Sequence, residues 1–172
     1  MTLNQLKEIM PYAGKRAEIF LEPLNAAMDE FEINAPARQA AFLAQIAHES
    51  GSLRYVKEIA SGAAYEGRKD LGNTEEGDGM RFKGRGLIQI TGRANYTQCG
   101  AALGLDLLAE PDLLEQTGNA CRSAAWFWHT RGLNELADDG EFKLITKRIN
   151  GGYNGLEDRR AYYTRAKETL NA

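Results

Sequence analysis

The sequence predicts a mainly α-helical fold, interrupted once by a glycine-rich insertion that divides it into two lobes around a groove. Three observations carry this. Apolar residues recur at helical spacing through the first third of the chain and again from Arg93 onward. Eight of the eighteen glycines fall between Ser61 and Gly92. Only one short run, Leu87-Ile-Gln-Ile-Thr91, alternates in the manner of a strand.

In chain order, Thr2 followed by Gln5 matches a capping box, and Leu3, Leu6, Ile9 and Met10 give a short first helix that Pro11 ends. From Lys15 to Phe31 an apolar stripe of Ala17, Phe20, Leu21, Leu24, Met28 and Phe31 marks a second helix, which Pro23 is expected to kink or break. Asn34 is expected to cap a third, with Pro36 in its first turn, running from Ala37 to His48 until Ser50 and Gly51 stop it. The insertion follows, from about residue 52 to 92. Glycine at this density means turns and close backbone approach, and a long irregular stretch inside a compact domain tends to carry function. Within it, a strand over Leu87–Thr91 would send Ile88 and Ile90 into the core and Gln89 and Thr91 toward the groove. Helices are then predicted over 93–103, 118–129, 141–149 and 157–170, the last with Arg159, Arg165, Lys167 and Glu168 on a solvated face.

Composition bounds the function. The 172 residues are 43% hydrophobic and 26% charged, ordinary globular values. A chain of this size folds to about 8,400 Å² of accessible surface and buries a core without staples, so a single domain over 1–172 is expected. A net charge of -3 argues against a nucleic-acid partner. No apolar run approaches the ~20 residues of a bilayer span, and Lys7 and Glu8 stand where a signal peptide would be apolar, so cytoplasmic synthesis without stable membrane insertion is expected. Cys99 and Cys121 are expected to be buried thiols, with a single bridge left open.

Several chemistries are missing. His48-Glu49 begins like a zinc-peptidase helix, but Ser52 stands where the second histidine belongs. With two histidines in all and no grouping of ligand spacing, no metal is expected. There is no phosphate-binding loop, no complete dinucleotide fingerprint and no serine nucleophile elbow, so no cofactor is expected.

Carboxylate chemistry remains. Glu49 lies at the end of the third helix, three and seven residues after Ile46 and Phe42, and so on the same face as large apolar side chains. Desolvation and the negative helix end would both favour its neutral form, which suits a general acid. Glu58 and Glu66 follow in the irregular segment, where a more solvated carboxylate can act as base. Inverting hydrolysis of a glycosidic bond divides the work in this way between carboxyls ~6.5–9.5 Å apart.

Three motifs make the chain recognisable: His48-Glu-Ser-Gly51; Phe82-Lys-Gly-Arg-Gly-Leu-Ile-Gln-Ile-Thr91 with Asn95-Tyr96; and Ile149-Asn-Gly-Gly152. Together they resemble the glycoside hydrolase family 19 chitinases, and more closely the lysozyme-type branch found in bacteriophage endolysins, from about Asn34 to Leu170. The resemblance implies a lysozyme-like, two-lobed helical fold. It also implies an inverting mechanism with Glu49 as general acid and Thr91 positioning the water. Gln89, Asn95, Tyr96 and Asn150 match positions lining the substrate cleft. Glu58, in Lys57-Glu-Ile-Ala60, is the choice for the base, with Glu66 in reserve and Tyr65 as a stacking surface.

The implied substrate is peptidoglycan, cut between N-acetylmuramic acid and N-acetylglucosamine, because the longer cysteine-containing insertion of plant chitinases is absent. A chitinase on the same scaffold and a catalytically silent glycan-binding module are the alternatives. Further expectations are a monomer without a separate wall-binding domain, a Gram-negative host, and a holin-like membrane-permeabilising partner giving access to the periplasm.

Overall fold

A computed structural model describes residues 1–172. Helix α1 (Leu3–Ile9) opens with the predicted capping box: the Gln5 amide donates to Thr2 Oγ1 and the Thr2 amide to Gln5 Oε1. Helix α2 (Arg16–Glu30) runs through Pro23 without a break, which excludes one of the two expected outcomes, a kink or a break. Pro23 removes the donor for the Ile19 carbonyl, but Ile19 is exposed, so water can serve that group.

Helix α3 (Pro36–Glu49) is the axis of the molecule. Every residue from Ala40 to Ala47 is buried, which is the property of a helix wrapped on all sides. Its N-cap is Ala35 rather than Asn34, and no side chain caps it; Pro36 in the first turn makes a missing donor harmless there. Phe42 meets Trp128 edge-on, with ring centroids 5.3 Å apart, at the centre of the core.

After the insertion, α5 (Arg93–Leu103), α6 (Thr117–Thr130), α8 (Phe142–Asn150) and α9 (Leu156–Leu170) stand where helical spacing placed them. Two short helices were not anticipated, α4 (Asp78–Arg81) and α7 (Leu133–Asp138), nor were three 3₁₀ turns. These pieces are too short to display a helical period. Helix α9 packs along α3 and α1, and α6 against α2. No helix is long and apolar enough to cross a membrane.

The expected strand over Leu87–Thr91 does not form. Arg85 and Ile90 instead exchange backbone hydrogen bonds of 3.1 and 2.8 Å across a four-residue turn, and Arg85 also bridges to Lys57. Leu87, Ile88 and Ile90 all enter the core, so alternation fails, because a turn points consecutive side chains inward where a strand cannot. Gln89 and Thr91 alone of the run stay partly exposed. The folded surface is 8253 Å², close to the size expectation.

Cys99 and Cys121 are both free and fully buried, and burial pushes each thiol up to about 12. The native protein should therefore give no reaction with Ellman's reagent at mildly alkaline pH and two equivalents after denaturation. Rapid labelling of the native state would contradict this packing.

Candidate active site

Glu49 is the last residue of α3, and the chain behind it reverses within one turn. Ser50 locks the reversal: its hydroxyl donates to the Ile46 carbonyl at 2.6 Å and accepts from the Leu53 amide at 2.9 Å. Gly51, Ser52 and Leu53 are all left-handed, with φ of 58°, 57° and 69°. Two of them carry side chains, an arrangement costing about 1–3 kcal/mol per residue that persists only where the surroundings enforce it. Enforcement comes from Tyr162, whose hydroxyl meets Ser52 Oγ at 2.8 Å, and from Arg16, which donates to the Ser52 carbonyl. The reversal carries Tyr55–Ala60 back past Glu49.

Glu49 is held from the other side by α9. Arg159, only 2% exposed, places Nη2 2.7 Å from Glu49 Oε1 and donates Nη1 to Gln45 Oε1 at 2.6 Å and Nε to the Asn154 carbonyl at 3.1 Å. Gln45 completes the chain by donating to Thr146 Oγ1 at 2.9 Å. One residue earlier on each helix, His48 Nδ1 meets Asp158 Oδ2 at 2.7 Å. Gly155 sits so close over the His48 ring that a Cβ would lie 2.2 Å from it, which fixes glycine there. Glu49 Oε2 takes no hydrogen bond from the protein and is free for a ligand.

Glu58 is positioned from the insertion. Its Oε1 accepts from the Gly84 amide at 2.6 Å and its Oε2 from the Tyr65 hydroxyl at 3.1 Å, while its own amide donates to the Gly84 carbonyl. Burial, followed by the Glu58 charge, raises the Tyr65 phenol above its ordinary value, so it stays a donor. Gly84 also admits Gln89, whose Oε1 would lie 2.6 Å from any Cβ at that position. Glu49, Tyr55, Lys57, Glu58 and Gln89 line one cleft of about 310 Å³, bordered by Ile59 and Ala60. Two carboxylates facing one open cleft from separate elements can deliver a proton from one wall and accept one at the other.

The other expected site residues are placed differently. Thr91 is half-buried just beyond Gln89, and Asn95 Nδ2 donates to its carbonyl at 2.8 Å. Tyr96 does not line the cleft: it is fully buried against Phe82, with its hydroxyl donating to the Lys83 carbonyl and accepting from Arg85. Glu66 does not either. Its two oxygens accept from the amides of Gly77 and Gly79, both at 2.8 Å, so it ties the glycine-rich turn together. Tyr65 is half-buried, its hydroxyl donates to Glu58 Oε2, and Arg68 lies 5.9 Å from its ring centroid. Asn150 ends α8, with Gly151 rather than Asn150 in the left-handed position, and its Oδ1 is buried without a hydrogen-bond partner.

Sequence reasoning put Arg159 on a solvated face, and the structure buries it. The signal was its register: Arg159, Ala166 and Leu170 are the buried positions of α9, so a lone arginine sits on that helix's apolar stripe. No group of three or more metal-ligating side chains stands together.

Comparison with known proteins places this geometry. The profile described as glycoside hydrolase family 19, chitinase class I, matches residues 26–139. A Haemophilus influenzae protein described as glycosyl hydrolase family 19 domain-containing is 29% identical over 95% of this chain and 94% of its own length. An Arabidopsis thaliana endochitinase is 41% identical over 66% of the chain, which spans only 38% of that protein. Chitinase C from Streptomyces griseus superposes with a TM-score of 0.78 at 25% identity, covering 99% of this chain and 76% of that one. A bacterial family 19 chitinase reaches 0.81 at 24% identity over 99% and 95%, a likeness of fold.

Replacing Arg159 leaves the Glu49 carboxylate and the Gln45 carbonyl without their buried partner. Arg159→Met is expected to lower stability by about 3–5 kcal/mol in urea denaturation, with Arg159→Lys recovering part of the loss. An unchanged midpoint for Arg159→Met would contradict the network.

Proposed function

Because this chain belongs to glycoside hydrolase family 19 and is a glycosidase of that family, we propose that it hydrolyses the β-1,4 bond between N-acetylmuramic acid and N-acetylglucosamine in peptidoglycan, as a bacteriophage endolysin. The observation that carries the chemistry is the shared cleft of Glu49 and Glu58. Glu49 gives its proton to the glycosidic oxygen as the bond from C1 breaks. Glu58, with Thr91, orients a water on the opposite face and takes its proton as the new C1–O bond forms. Glu49 becomes anionic in this step, and the Arg159 guanidinium beside Oε1 compensates the charge it gains. Two hydrogen bonds on Glu58 fix the direction in which the base points. Glu58 lines the cleft that Glu49 faces, whereas Glu66 lies outside it with both oxygens on amides of the glycine-rich turn, which favours Glu58 in this role.

Choice of peptidoglycan rests on the endolysin-like wording of Lys57-Glu-Ile-Ala60 and on the short insertion. The endolysin reading carries with it a monomer made in the cytoplasm of a Gram-negative host and reaching the periplasm through a holin-like membrane-permeabilising partner. Chitin hydrolysis is the second reading, favoured by the likeness to plant endochitinases and bacterial chitinases.

Mass spectrometry of borohydride-reduced fragments from purified peptidoglycan, with a chitin digest alongside, separates these. Reduced muramic acid ends are expected, falling about 10²–10⁴-fold in Glu49→Gln with the fold unchanged. Release from chitin alone would move the protein to the second reading. Full activity in Glu49→Gln would remove the proposed acid, and anhydro ends would replace hydrolysis by transglycosylation.

A further inference from the structure

The largest cavity in the molecule is not the cleft. It measures about 400 Å³ and lies between α8 and α9, with Lys143 on one helix and Arg160, Tyr163 and Lys167 on the other. Its floor is rigid: Tyr163 stacks on Phe142 with ring centroids 4.1 Å apart and planes 6° from parallel, and Lys167 Nζ lies 4.4 Å over the Tyr163 ring. Glu141 is the one acidic residue in the lining.

Two features mark this pocket as a place for an anion. Lys143, Arg160 and Lys167 take part in none of the chain's eleven ion pairs and donate no side-chain hydrogen bond to the protein, so their charges are available. They also outnumber the one acid of the lining, Glu141, in a chain whose net charge is -3. Cations gathered in one pocket of an acidic protein favour an anionic partner there.

Helix α9 joins this pocket to the cleft. Arg159 turns toward Glu49 and the next residue, Arg160, lines the pocket, about 100° further round the helix. A substrate strand that carries carboxylates along its length meets repulsion from the Glu58 carboxylate in the cleft and needs its negative groups led elsewhere. An extended peptide of five residues reaches about 17 Å, more than the ~10–12 Å diameter of a helix with its side chains. We propose that the α8–α9 pocket binds the acidic stem peptide of a peptidoglycan strand whose glycan lies in the cleft, Lys143, Arg160 and Lys167 holding its carboxylates and Tyr163 its aliphatic part. The proposal rests on the peptidoglycan reading above. It distinguishes that substrate from chitin, which bears no carboxylate.

The test uses the full chain and a synthetic stem pentapeptide, L-Ala-γ-D-Glu-meso-diaminopimelyl-D-Ala-D-Ala, titrated calorimetrically. The wild type is expected to bind it, and the double substitution Arg160→Glu with Lys167→Glu to weaken binding by about tenfold or more. Inorganic phosphate at equal concentration is expected not to displace the peptide. In turnover, the same variant should lose about tenfold in kcat/KM on peptide-bearing peptidoglycan and nothing on glycan strands stripped of peptides by an amidase. Lys143→Gln with Lys167→Gln, which reverses no charge, should show a smaller loss of the same kind. Peptide affinity unchanged by these substitutions, an equal loss on both substrates, or displacement by phosphate overturns the assignment. Charge-sensitive peptide binding by a protein that turns over no peptidoglycan would support the pocket while sinking the muramidase reading; normal turnover with a flat titration would do the reverse.

Discussion

One guanidinium buried between two helices sets the rest of the structure. Helix α3 is surrounded on every side from Ala40 to Ala47, so any polar group it carries must find a partner inside the protein. Gln45 and Glu49 stand four residues apart on that helix, and Arg159 of α9 meets both. The planar fork of donors then fixes the register of α9 against α3. That register puts Gly155 over His48, Asp158 on its ring and the Asn154 carbonyl on Arg159 Nε. The position of Glu49 follows from core packing and not from a loop. A buried ion pair of this kind contributes little net stability compared with an apolar replacement of both partners. What it supplies is orientation of one carboxyl oxygen toward α9, leaving the other open to the cleft.

The opposite wall is built without a sheet, which raises the question of how a long irregular segment keeps one shape. Side chains take over the hydrogen bonding that a ladder would provide. Glu66 receives two glycine amides, and Asn73 donates to the Tyr65 carbonyl while accepting from the Arg93 amide. Asp78, buried and held below the usual aspartate range chiefly by its hydrogen bonds from Arg93, also accepts from the Glu75 amide. Phe82, Leu87, Ile88 and Ile90 anchor the segment in the same apolar core as the helices. Glu58 therefore hangs from a fixed frame through Gly84 and Tyr65, which sets the direction of its carboxylate.

The helices were legible because their apolar stripes are long, and six of them stand within a residue or two of the predicted ends. Short pieces such as Asp78–Arg81 and Leu133–Asp138 offer too little period to be seen. Gln89 reached the cleft as expected, but through a turn that buries Leu87, Ile88 and Ile90 together; five residues of alternation do not distinguish a strand from a turn over a core. Glu49 and Glu58 were legible from residue type and motif. Tyr96, Glu66 and Arg159 were not, since each depends on a contact distant in sequence: Tyr96 with Lys83, Glu66 with Gly77 and Gly79, Arg159 with Gln45 and Glu49. Surface or core is decided for such polar residues by their partners, and a partner is invisible until the chain is folded.

The central claim is that two carboxylates across one cleft act on opposite faces of the sugar, with water as the nucleophile and no covalent intermediate. Proton NMR of the reducing ends formed at early times, before mutarotation, reads this directly. The account predicts the α-anomer as the first product from a β-linkage. Appearance of the β-anomer first would mean retention through a covalent or substrate-assisted intermediate and would contradict the roles given to Glu49 and Glu58.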